Sequence, residues 1–118
     1  MPNPFGAAEV SVQEVAAKRQ AGTPFVLLDV REPPELAAAD LGPGVETAPL
    51  SDLAARQLAA LPAAAQDKNA EVVVFCHHGM RSAQVTAWLA GQGWANVRSM
   101  AGGIDAYARE VDPAVGRY

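Results

Sequence analysis

The chain has 118 residues, half of them apolar and 19% charged, with nine basic against thirteen acidic side chains for a net charge of −4. That length suits one domain, expected over residues 1–118, burying roughly two-thirds of its unfolded surface. The acid excess gives a nucleic-acid partner no electrostatic gain, and no apolar stretch nears the ~20 residues that a membrane span requires. The first ten residues lack a basic n-region and an apolar h-region, so no signal peptide is expected. The lone cysteine, Cys76, has no partner for an internal disulfide, which points to a reducing, cytoplasmic setting.

In chain order, Ser11 with Glu14 three residues later has capping-box spacing. Val12, Val15 and Ala16 then predict a helix that Gly22 closes. "FVLLDV" (25–30) is a continuous apolar run ended by charge, the pattern of a strand buried on both faces. Pro33 and Pro34 bar an earlier helix start, so "PELAAA" begins a short one. Residues 40–50 read as loop with one short edge strand around Val45 to Ala48. "SDLAARQLAALPAAA" (51–65) predicts a helix capped by Ser51, with Leu53, Leu58 and Leu61 on one face and Pro62 as its stop. "EVVVF" (71–75) is the clearest strand. "RSAQVTAWLAGQG" (81–93) follows as a helix with Val85, Trp88 and Leu89 inward. "NVRSM" (96–100) and "GGIDAYAREV" (102–111) read as a strand and a final helix, and Trp94 joins Trp88 as a core candidate. Alternating strands and helices imply parallel pairing with right-handed crossovers, hence an α/β sheet covered on both faces. Ligands in such sheets bind beyond the carboxyl ends of strands. Cys76 and the segment Asp29 to Glu32 both fall there.

The densest chemistry lies in "CHHGMRS" (76–82), between a strand end and a helix start. Such a loop lays successive backbone N–H groups around the Cys76 sulfur, and the helix N-terminus adds its positive end. That field favours thiolate over thiol and makes a nucleophile. Gly79 lets the backbone turn with positive φ. Arg81 supplies a permanent cation with a planar fork suited to an oxyanion, and Ser82 is placed to cap the helix or hydrogen-bond the sulfur. The competing reading is a buried, inert strand-end cysteine. His77 and His78 are adjacent to Cys76 and are the only histidines of the chain. Three consecutive residues rarely converge on one tetrahedral ion, so no metal is expected and the histidines read as side chains shaping the pocket mouth. Met80 reads as a pocket-rim residue or filler.

On "LLDVREPPEL", "VVFCHHGMRSAQVTAWLAGQGWANVRSMAGGIDAYARE" and the tail "VDPAVGRY", the chain resembles the single-domain rhodaneses, a family of sulfurtransferases. The likeness is strongest to rhodanese domains found alone in bacteria or fused behind ubiquitin-activating-like adenylyltransferases. It implies the rhodanese-like α/β fold, a mostly parallel central sheet of about five strands flanked by helices on both faces. It also implies that Cys76 bears a persulfide and that His77, His78, Gly79, Met80, Arg81 and Ser82 form the loop around it. Arg81 would anchor an anionic donor or shape the loop, and Asp29 and Arg31 would brace the site. The implied reaction moves sulfane sulfur from thiosulfate or a persulfide donor to a thiol or cyanide acceptor, with no metal or organic cofactor. A sulfur-carrier protein or an adenylyltransferase is among the partners the likeness admits. One departure stands out: relatives carry Gly-His-Ile where this chain has Asp40, Leu41 and Gly42.

Two alternatives remain open at this stage. Cys-dependent phosphatases and arsenate reductases also use Cys…Arg loops, but tyrosine-phosphatase loops place five residues between the two, where His77, His78, Gly79 and Met80 make four. No aspartate is evident as a general acid for a phosphoester leaving group. The other alternative is a non-catalytic sulfur carrier, sensor or interaction module, against which the presence of Cys76, Gly79 and Arg81 together argues.

Overall fold

The computed structural model describes residues 3–118. Five strands form one sheet: β1 (Glu9–Val10), β2 (Val26–Asp29), β3 (Val45–Thr47), β4 (Val72–Phe75) and β5 (Val97–Met100). Their order is β1-β5-β4-β2-β3, and every adjacent pair is parallel. This is the rhodanese-like α/β architecture the resemblance implied. The helices are α1 (Val12–Ala21), α2 (Pro33–Ala38), α3 (Leu50–Arg56), α4 (Met80–Gly91) and α5 (Gly103–Glu110). None of them is long and apolar enough to cross a membrane.

Side-chain alternation along β4 divides the core in two. Val72, Val74 and, one step further, Cys76 join Leu28 and Val30 against Leu53, Leu61, Ala65, Val85, Leu89 and Trp94. Val73 and Phe75 face the other way, packing with Leu27 and Met100 against Val12, Val15, Ile104 and Tyr107. The continuous apolar run of β4 thus satisfies two faces at once, with all four residues buried. α1 starts and stops as its sequence dictates. The Glu14 N–H donates to Ser11 Oγ at 3.1 Å, and Gly22 adopts the left-handed conformation at φ 70°.

Four features differ from expectation. The 51–65 helix is interrupted: α3 ends at Arg56, Gln57 takes φ 58°, and two short 3-10 turns follow at Gln57–Ala60 and Ala63–Ala65. Alanine propensity favours one helix here. Packing overrides it, because the bend delivers Leu61 and Ala65 into the core and offers the Ala65 carbonyl to Trp94 Nε1 at 2.9 Å. Ser51 does not cap α3 but donates to Glu32 Oε1 at 2.6 Å, and Pro49 stands at the cap position. Trp88 lies only partly buried at the edge of its cluster. β1 was not among the strands read from the sequence, since two residues are too few for any periodicity to register. The Asp40–Leu41–Gly42 departure is absorbed locally. Leu41 is buried in the second cluster, and Asp40 accepts from the Gly42 N–H at 2.8 Å.

The topology places a crevice. The chain leaves β2 toward β3 on one side and leaves β4 toward β5 on the other, so the carboxyl ends of β2 and β4 flank a topological switch point. Register brings Asp29 opposite Phe75 at that end. Leu28 is fully buried in the sheet centre. Leu28→Ala is therefore expected to cost about 2–5 kcal/mol, read as a lowered urea midpoint.

Candidate active site

Cys76 follows directly on β4, with 1% of its surface exposed. The Gly79 N–H donates to its Sγ at 3.1 Å and the Ser82 N–H at 3.3 Å. The thiol lies 3.5 Å from Ser82 Oγ, which in turn donates to the Gly79 carbonyl at 3.2 Å and shares a 2.7 Å contact with the buried Ser99 hydroxyl. Ser82 therefore fixes the loop to itself, to β5 and to the sulfur. Gly79, at φ 105°, makes the turn into α4. The first intrahelical bond of α4 runs from Ala83 to the Gly79 carbonyl, so the first-turn amides of Met80 and Arg81 have no partner within the helix and point out of its N-terminal end.

The back of the loop rests on α5. The Ile104 and Asp105 N–H groups donate to the Cys76 and His77 carbonyls at 2.9 and 3.0 Å. Two glycines make this approach possible. A Cβ on Gly103 (φ 64°) would lie 2.4 Å from the His77 oxygen, and one on Gly79 would lie 3.1 Å from the Gly102 nitrogen. Gly102 and Gly103 were not singled out from the sequence, although the doubled glycine opening a helix was the available signal.

Every residue read as a site residue gathers here. Asp29 and Arg31 form a buried pair, with Arg31 Nη2 2.7 Å from Asp29 Oδ2 and Arg31 Nε 3.0 Å from Oδ1. Burial alone would lower the Arg31 value, but hydrogen bonds to Asp29 and Tyr118 outweigh it and raise it. Arg81 does not lie free in the crevice. Its Nη1 and Nη2 donate to Glu35 Oε1 and Oε2 at 2.7 and 2.8 Å. Of the two roles the resemblance allowed it, this geometry serves the shaping of the loop. The Arg81 hydrogen bonds are the main reason the Glu35 carboxyl drops from 4.5 to about 2. Glu35 went unread in the sequence, although a permanently charged arginine in a half-buried crevice calls for a carboxylate and α2 offers one acid.

His77 and His78 extend outward from the loop. Their rings stack at 3.8 Å, and Tyr118 stacks on the other face of His77 at 3.8 Å. Burial first, and the neighbouring His78 second, hold His77 below the ordinary histidine range. His78 Nδ1 lies 3.9 Å from Asp105 Oδ2. The ligand atoms of His77, His78 and Asp105 come within 4.8 Å of one another. Stacked imidazoles, however, direct their in-plane lone pairs side by side rather than onto one ion, and Asp105 already pairs with Arg109 and Arg117. Met80 stands 56% exposed at the rim.

The family model for the rhodanese-like domain matches residues 11–110, and the chain belongs to that family. Among curated proteins it is 38% identical over 117 residues to rhodanese-like/PpiC domain-containing protein 12, chloroplastic, of Arabidopsis thaliana. That match covers 93% of this chain but 37% of the relative. It is 36% identical over 103 residues to a sulfurtransferase of Allochromatium vinosum, covering 86% of this chain and 90% of that one. Among solved structures, a human single-domain sulfurtransferase superposes with a TM-score of 0.73 at 30% identity, over 89% of this chain and 98% of that one. Family and relatives together support sulfur transfer in general.

Two outcomes test this geometry. Gly103→Ala combines a strained φ with a clash against two carbonyls, and is expected to lower stability by more than about 1 kcal/mol in urea unfolding. A carboxyl whose folded value lies below its unfolded one adds stability that is present above the unfolded value and lost as pH falls through the folded one. Between pH 4.5 and about 2, the urea midpoint of the unsubstituted protein should therefore fall more steeply than that of Glu35→Gln.

Proposed function

We propose that Cys76 is the nucleophile of a sulfurtransferase and carries the transferred sulfur as a persulfide. The observation that carries this reading is the pair of backbone N–H donors, from Gly79 and Ser82, that converge on a buried sulfur at the sheet's switch point. In the first step the Cys76 thiolate attacks the sulfane sulfur of a donor such as thiosulfate. A Cys76–sulfur bond forms, the bond to sulfite breaks, and sulfite leaves with the bonding electrons. In the second step a nucleophilic acceptor, a thiolate or cyanide, attacks the outer sulfur and the Cys76 thiolate departs, with no net redox change in the protein. Outward-pointing amides at the start of α4 suit the negative charge of the outer sulfur. Arg81, the loop's permanent cation, is tied to Glu35, so its role is to hold that first turn in place.

Phosphatase chemistry is the less favoured reading on the site's own residues. The aspartates closest to the loop are engaged: Asp29 chelates Arg31, and Asp105 is held below the ordinary carboxylate range by hydrogen bonding to Arg109 first, with Arg117 adding to it. Neither is poised to protonate a leaving alkoxide or phenoxide. A small sulfur donor and a thiol acceptor are the partners this reading takes.

Incubation of the protein with thiosulfate, followed by intact mass measurement, should show a gain of about 32 Da that a thiol reductant removes. Cys76→Ala should show neither the gain nor thiosulfate-dependent thiocyanate formation. Failure of the unsubstituted protein to take up sulfur would sink the proposal.

A further inference from the structure

The Glu35 carboxylate has a fourth donor that the site chemistry leaves unexplained. Oε1 accepts from Arg81 Nη1 and, at 3.2 Å, from the Glu32 N–H. Oε2 accepts from Arg81 Nη2 and, at 2.7 Å, from the Tyr118 hydroxyl. Two oxygens with about four lone-pair sites are thereby saturated. The Tyr118 hydroxyl is itself an acceptor, taking Arg31 Nη1 at 3.2 Å. It therefore links the Asp29–Arg31 pair of the β2 end to the Glu35–Arg81 pair that grips α4. Its ring covers the Cys76 loop from outside, stacked on His77 with an interplanar angle of 11°.

The segment that brings Tyr118 there is anchored along its length. The Asp40 N–H donates to the Val115 carbonyl at 2.9 Å, Arg117 Nη2 pairs with Asp105 Oδ1 at 3.3 Å, and Gly116 runs so close to α2 that a Cβ would lie 2.9 Å from the Ala38 oxygen. These contacts come from three places: α2, the loop after it and the start of α5. A surface tyrosine with no task would not be aimed so closely at both the loop ring and the carboxylate that fixes the loop's arginine.

We propose that Tyr118 is a positioning residue for the Cys76 loop, acting through Glu35 on Arg81 and by stacking on His77. The loop amides stay trained on Sγ because the first turn of α4 is held from one side by the Arg81 grip and from the other by the ring on His77. Loosening either lets the loop open over the sulfur, which costs rate without removing a group that binds the donor. The kinetic part of this proposal rests on the sulfur-transfer reading; the structural part does not.

The test compares Tyr118→Phe, which keeps the stacked ring and loses the hydroxyl, with Tyr118→Ala, which loses both. In thiosulfate-to-cyanide turnover, kcat should fall about threefold for the first and about tenfold for the second, with KM for thiosulfate moving less than about twofold. Alkylation of Cys76 by iodoacetamide should run at least about threefold faster in Tyr118→Ala, because Cys76 is 1% exposed in this structure and a loosened loop uncovers it. Both are measured where the far-UV circular dichroism of variant and unsubstituted protein coincide. Unchanged kcat and alkylation in Tyr118→Ala, or a loss confined to KM, would overturn the proposal. If the unsubstituted protein transfers no sulfur, that reading fails separately, and the alkylation rates still decide the role of Tyr118.

Discussion

The bidentate pair between Arg81 and Glu35 ties together the two chain segments that leave the sheet at its switch point. One segment runs on from the end of β2 at Asp29 and carries Arg31 and Glu35; the other follows β4 and carries Cys76 through Ser82. The pair adds a side-chain clasp to the backbone contacts there, the register that sets Asp29 opposite Phe75 and the 3.0 Å bond from the Val30 N–H to the Phe75 carbonyl. Planar, two-point hydrogen bonding gives the link direction as well as charge, which a lysine at position 81 would not supply. Both side chains keep some exposure, 31% for Arg81 and 21% for Glu35, so water moderates the strength of the pair. What the pair contributes is geometry: it sets where the first turn of α4 begins, and hence where the amides point.

A second constraint acts from behind. The loop is too short to support itself, so it borrows backbone from α5, whose first amides cap the Cys76 and His77 carbonyls. That contact exists only because position 103 lacks a side chain, and the close approach of the loop to Gly102 needs a glycine at position 79. The sulfur thus sits in a loop whose carbonyls are capped by α5 and whose amides, from Gly79 and Ser82, point at it. Backbone supplies the fixed dipoles, while the His78 and Met80 side chains are exposed and His77 is half-buried beside Tyr118.

Much of the fold was legible from local pattern. The apolar runs at 25–30 and 71–75, the Ser11–Glu14 cap and the glycine after Cys76 each encode one element through short-range rules. The strand-to-helix turn at Cys76 was legible for the same reason, because strand period, glycine and helix start follow in sequence. Two kinds of feature were not. β1 pairs with β5 from the far end of the chain and has too few residues for periodicity. The 51–65 segment reads as one helix by composition, yet its break is decided by where Leu61 and Ala65 must sit beneath the sheet.

Sequence alone therefore determined the strand-end cysteine, its loop and the alternation of strands and helices, because each depends on residues a few positions apart. The tertiary structure decided which charges meet. Arg81 finds Glu35 across 46 positions and Tyr118 finds Glu35 across 83. No local pattern selects one carboxylate among thirteen acidic residues. Only the folding of two connections and the 112–118 segment onto one crevice makes that choice, and with it converts an arginine that looked free to bind an anion into the clasp of the loop.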